Sequence, residues 1–137
     1  MDDLFIKIIR GEIPSCKVYE DNTTFAFLDI NPHNKGHVQV ISKEHYRNIF
    51  DVPEETLCDM MRTVKKLAKA VKDATGADGI NIGMNNEKAA GQEIFHVHIH
   101  VIPRFESDGV YKKAKHLKYK NKEMEAVAEL IRKELAY

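Results

Sequence analysis

His96, His98 and His100 alternate with Val97, Ile99 and Val101. Side chains two apart on a strand point to the same face, repeating every ~6.5 to 7 Å, so the spacing predicts three imidazoles in a row. The opposite face, from Phe95 to Val101, reads as core. Placing three of the chain's seven histidines on one face is a costly way to fill space. Each buried ring carries two nitrogens that need partners. Two chemistries could use the row. One is a metal centre, in which a catalytic Zn²⁺ takes three protein ligands and keeps one open position, although three rings in line converge poorly on one ion. The other is phosphoryl transfer, in which one imidazole attacks phosphorus and its neighbours stabilise the charge developing on the oxygens. This second use fits a linear row without a cation.

The elements that must carry the row follow from periodicity. Phe5, Ile8 and Ile9 share one face of a short helix running to about Arg10, with Asp2 or Asp3 as its cap and Gly11 as its stop. Cys16 to Tyr19 and Thr23 to Leu28 form two β-leaning runs around a Glu20-Asp21-Asn22 turn. His37 to Ile41 reads as a third strand with Val38 and Val40 on one face, Gly79 to Met84 as a fourth, and Ile94 to Ile102 as a fifth. Leu57, Met60, Met61, Val64, Leu67, Ala68 and Val71 recur at helical spacing between Pro53 and Gly76, marking the longest helix. Met124, Val127, Ala128, Ile131 and Leu135 predict a C-terminal amphipathic helix capped by Asn121. Strands clustered around one long helix argue for an α+β fold on an antiparallel sheet, in one domain spanning 1–137.

Composition narrows the partners. Lys plus Arg and Asp plus Glu number 21 each, so no net field draws the chain to a nucleic acid. No apolar run approaches the ~18 residues of a membrane span. Cys16 and Cys58 are far apart in sequence and form no CxxC pair, which suits two free thiols in a reducing compartment. The chain begins Met-Asp-Asp, with acids where a secretory signal carries bases, so the expected location is the cytoplasm.

His96-Val97-His98-Ile99-His100-Val101-Ile102 resembles the His-φ-His-φ-His-φ-φ signature of the histidine triad superfamily, where φ is apolar. The resemblance spans residues 4–104 and leaves 105–137 as a C-terminal extension. It includes Leu4 to Ser15, Ala26 to Ile30, Gly36 to His45, Gly91-Gln92 before the triad and Pro103-Arg104 after it. It is nearest to the branch of nucleoside phosphoramidases and their bacterial relatives. The resemblance implies a five-stranded antiparallel sheet and a homodimer. It also implies hydrolysis of a purine nucleotide substrate through a nucleotidyl intermediate on His98, with AMP or GMP as product.

By the same resemblance, His96 and His100 flank the phosphate and His37 supports the nucleophile from the adjacent strand. Read alone, His37 is an ordinary strand-start residue. Asn85, Gly91, Gln92 and Glu93 belong to the phosphate loop, where neutral amides stabilise the transition state without making the product stick. Asp29 matches the acid that accepts ribose hydroxyls, and Phe5, Ile8, Phe27 and Ile30 stand near the base. No metal and no cofactor is expected. Bacterial relatives hold a structural zinc with two cysteines and two histidines, but Asp3 and Ile6 occupy the cysteine positions here, leaving His45 and His96 without sulfur partners. Glu93 replaces a serine of the phosphoramidase branch, and Gln39 stands at a usually apolar position. Two other activities share these residues: dinucleoside polyphosphate hydrolysis, and nucleotide binding in an interaction protein with incidental hydrolysis. The lysine-rich segment from Lys112 to Lys122, with Tyr111 and Tyr119, reads as a solvated surface.

Overall fold

The protein is described here by a computed structural model covering residues 3–110 and 115–135. Tyr111, Lys112 and Lys113 of the lysine-rich segment, and the alternative helix cap Asp2, lie outside the described residues. The described chain runs α1 (Leu4–Ile9), β1 (Lys17–Glu20), β2 (Thr24–Leu28), β3 (Val38–Ser42), α2 (Glu54–Thr75), β4 (Gly79–Gly83), β5 (His98–Arg104) and α3 (Glu123–Leu135). The strands form one antiparallel sheet in the order β1-β2-β3-β5-β4. This is the α+β architecture expected from the sequence.

Asp21 builds the β1–β2 turn. Its Oδ1 accepts from the backbone N–H groups of Thr23 (2.9 Å) and Thr24 (2.8 Å), satisfying the donors that a tight turn frees. Helix α2 ends where Gly76 takes a left-handed φ of 71° and donates its N–H to the Lys72 carbonyl. One face of α2 buries Met60, Val64, Leu67 and Val71 against Val38, Val40, Ile99 and Val101. Met61, expected on that face, is 45% exposed. The other face of the sheet carries a smaller cluster of Phe5, Ile8, Phe25, Phe27 and Ile41 beneath α1. Strand alternation therefore puts Gln39, Ile41, His98 and His100 on the face away from α2, where they register as neighbours.

Most strand ends fall within one or two residues of expectation, and two starts depart for identifiable reasons. The fifth strand begins at His98, not Ile94, because the Val97 N–H donates to the Tyr46 carbonyl (2.7 Å), outside the ladder with β3. Helix α3 begins at Glu123, and Lys122 just before it takes a positive φ of 62°. Asn121 does not cap it; the Glu123 side chain accepts from the Lys120 N–H at 3.0 Å. No residue of α3 is buried. Among the described residues, no helix is long and apolar enough to cross a membrane.

Candidate active site

Hydrogen bonds fix the protonation of each ring. The His33 backbone N–H lies 3.2 Å from His37 Nδ1 and can only donate, so His37 carries its proton on Nε2. That proton faces His100 Nδ1 at 2.9 Å, which must accept, so the His100 proton sits on Nε2. His98 Nδ1 lies 2.6 Å from the His96 carbonyl and must donate to it, leaving the lone pair on Nε2 unengaged. His98 and His100 pack at 5.1 Å between ring centroids, and Phe5 sets its ring edge-on to His98 at 5.1 Å. One ring thus offers an electron pair and its neighbour an N–H. Gly36, just before His37, is needed at φ 101°, since a Cβ there would stand 2.7 Å from Thr75 Cγ2.

Burial is the largest influence on these rings because it penalises the charged form. It pushes His98 below the usual imidazole value, against the His96 carbonyl that accepts its Nδ1–H. It carries His100 to about 4, with the neighbouring His98 and His37 acting the same way. His37 is lowered by burial too, although Asp29 opposes the shift. All three are therefore neutral at neutral pH.

His98 and His100 open onto a cavity of about 510 Å³. Phe5, Ile8 and Phe27 form an apolar wall, and Ile30, 87% exposed, stands at the cavity rim. Asp29 joins them, with Oδ1 accepting from the Asn31 N–H and Oδ2 from Gln39 Nε2, both at 2.8 Å. Asn85, Gly91 and Glu93 line the cavity as well. Gly91 takes φ 92°, and a Cβ on it would stand 3.6 Å from Asn85 Nδ2. Among the described residues, no lysine or arginine lines the cavity. Any anion held here meets neutral donors and imidazole N–H groups.

Two expected site residues do not face the cavity. Gln92 is 3% exposed, and its amide is fully used inside the protein. Its Oε1 accepts from the Glu87 N–H (2.9 Å) and Asn48 Nδ2 (3.1 Å), while Nε2 donates to the carbonyls of Arg47 (2.7 Å) and Ile94 (3.1 Å). Gln92 braces the loop that carries Gly91 and Glu93. His96 is wholly buried and has an acceptor on each nitrogen, Asp3 Oδ2 at 2.8 Å from Nδ1 and the Ser42 carbonyl at 2.7 Å from Nε2. Both nitrogens are thus engaged inside the protein, which ties the ring to Asp3 and leaves neither nitrogen for a ligand. Burial acts to raise the Asp3 carboxyl, but the Ile6 N–H, His96 and His45 outweigh it and hold it below the usual carboxylate range.

Sequence reasoning missed His33, whose ring stacks on His37 at 5.2 Å and whose backbone N–H sets two tautomers. A proline-containing loop gives no signal for either role. Asn48 and Glu87, which anchor Gln92 and its loop, are likewise invisible, because their partnership spans 39 residues.

A family model described as the HIT domain matches residues 10–107. The chain belongs to the HIT family. An uncharacterised HIT-like protein of Methanocaldococcus jannaschii is 52% identical over 106 residues, 77% of this chain and 81% of that one. An adenosine 5′-monophosphoramidase of Saccharomyces cerevisiae is 46% identical over 101 residues, 74% of this chain and 61% of that protein. The crystal structure of a HIT family member from Bacillus subtilis superposes with a TM-score of 0.91 at 37% identity, covering 100% of this chain and 99% of that one.

The structural zinc of some HIT proteins can be tested against the residues present. Asp3 Oδ2, His45 Nδ1 and His96 Nδ1 do converge. Asp3 Oδ2 stands 2.6 Å from His45 Nδ1 and 2.8 Å from His96 Nδ1. Ile6 has no donor atom in its side chain, so the group offers three protein ligands and not the four of a closed structural zinc centre.

Proposed function

We propose that this HIT protein hydrolyses a nucleoside 5′-monophosphate from an amine or similar leaving group, the activity for which its yeast relative is named. The observation that carries this reading is His98. Its Nδ1–H is committed to the His96 carbonyl, and its free Nε2 pair meets a cavity also lined by His100. In the first step that pair attacks phosphorus, a nitrogen–phosphorus bond forms, and the bond to the leaving amine breaks, the amine nitrogen keeping the bonding pair and taking a proton from solvent water. In the second, water adds to phosphorus and releases a proton to solvent, the bond to Nε2 breaks, and the ring regains its pair. His100 Nε2–H and the Asn85 amide stabilise the phosphoryl oxygens as charge develops. Burial of His98 disfavours protonation of the nucleophile. Asp29 takes the ribose, and the apolar wall takes a purine base.

The same reading needs no metal or other cofactor, since neutral donors and imidazoles carry the charge work. It also places the protein in the cytoplasm as a homodimer. Cys16 and Cys58 are exposed free thiols, which suits a reducing compartment. Edge strand β4 exposes Ile82, and α3 exposes Leu130, Ile131 and Leu135, apolar surface that a second copy would cover. The test is a substrate panel in excess EDTA, comparing adenylyl and guanylyl phosphoramidates with dinucleoside polyphosphates. The phosphoramidates should give the highest kcat/KM. Preference for the polyphosphates would replace the leaving-group assignment, and turnover recovered only with added Zn²⁺ would refute metal-free catalysis.

A further inference from the structure

Gln39 stands in the middle of β3, opposite Phe27 on β2 and His100 on β5. It is 9% exposed and lines the cavity beside Asp29. Its Nε2 donates to Asp29 Oδ2 at 2.8 Å. A carboxylate can only accept, so this bond fixes the amide orientation and identifies Oε1 as the remaining atom. That oxygen is buried without a hydrogen-bond partner, the one such side-chain atom among the described residues. Leaving a buried carbonyl unsatisfied costs about 1–3 kcal/mol, so such an atom calls for an explanation.

The missing partner must be a donor. Phosphate oxygens only accept and would be repelled by Gln39 Oε1. An apolar base edge would leave it as it is. Asp29 supplies a second acceptor alongside, because each of its oxygens is engaged by only one N–H. Two adjacent acceptors suit two adjacent O–H donors, the arrangement of a vicinal diol.

We propose that Gln39 Oε1 accepts one hydroxyl of the ribose diol while Asp29 accepts the other, making Gln39 a specificity-determining residue that selects ribonucleotides over deoxyribonucleotides. This rests on the nucleotide reading above. The Nε2 bond holds Asp29 and Gln39 as one unit, so the amide both presents its own acceptor and aims the carboxylate. A site built around a hydroxyl rejects the analogue lacking it, because the buried acceptor is then left unpaired.

The experiment measures calorimetric Kd values for AMP, 2′-deoxy-AMP, 3′-deoxy-AMP and IMP, on the wild type and on Gln39→Met and Gln39→Leu. The wild type should bind AMP at least tenfold more tightly than one of the two deoxy analogues. Both variants should cut that ratio to threefold or less while AMP and IMP keep their relative order. Because an apolar side chain removes an orphaned acceptor, neither variant should melt far below the wild type, and the other variant carries the test if one fails to fold. AMP binding without ribose discrimination in the wild type, or discrimination unchanged in both variants, overturns the assignment and leaves the nucleotide reading standing. A variant effect confined to AMP against IMP gives Oε1 to the base and also overturns it. No binding of any nucleoside monophosphate overturns both readings.

Discussion

One backbone N–H, from His33, orders the protons on two of the rings that line the cavity, and one carbonyl, from His96, orders the third. The middle histidine is thereby distinguished from its neighbours by hydrogen bonding, not by residue type. The pH dependence follows. His98, His100 and His37 all lie below the ordinary value of 6.5, with His100 near 4. Activity should be level from pH 7 to 8 and fall on the acid side with an apparent pKa below 6.5, read from kcat/KM with a substrate that does not titrate there. Stability shares the sign: between pH 6.5 and about 4 the unfolded chain binds protons that the native rings refuse. The contribution is present above 6.5 and lost as pH falls toward 4, so the melting temperature should drop across that window. An acid limb centred above 6.5 would mean that the nucleophile is not a buried neutral imidazole.

At the scale of elements, α1 is tied to the triad segment through Asp3, which caps the helix by accepting from the Ile6 N–H and pairs with buried His96. Asp3→Ala should cost about 1 kcal/mol from the lost helix cap and about 1–3 kcal/mol from leaving the buried His96 Nδ1 without its partner. Urea denaturation checks this, and an unchanged midpoint would contradict the pairing. Asp3→Cys combined with Ile6→Cys should convert the staple to a zinc site, with a melting temperature that rises on adding Zn²⁺. The three helices and five strands were legible from periodicity, as was the shared face of His98 and His100, whereas Asp29 and Asn85 came from the family resemblance and were brought to the same cavity by the fold. The start of β5 was not legible, because the β-favouring residues Ile94 to Val97 run on into the strand although the backbone there lies outside the ladder. Nor was the inward turn of Gln92, since an amide in a polar loop looks the same whether it serves a ligand or the loop itself.

The whole molecule presents an amphipathic helix that buries none of its residues. Thirteen residues are marginal as an isolated helix in water, so α3 needs a surface to pack on. Light scattering at micromolar concentration should give about twice the chain mass of 15.7 kDa, and a monomer throughout that range would refute the dimer. The covalent step is read on the whole molecule too, and it bears most directly on the account. Rapid quenching of a phosphoramidate reaction, followed by intact-protein mass measurement, should trap a chain heavier by one nucleoside monophosphate. The adduct should be acid-labile and alkali-stable, should map to His98, and should be absent from His98→Asn. An adduct on His96 or His100, or near-normal turnover by His98→Asn, would contradict the assignment of the nucleophile.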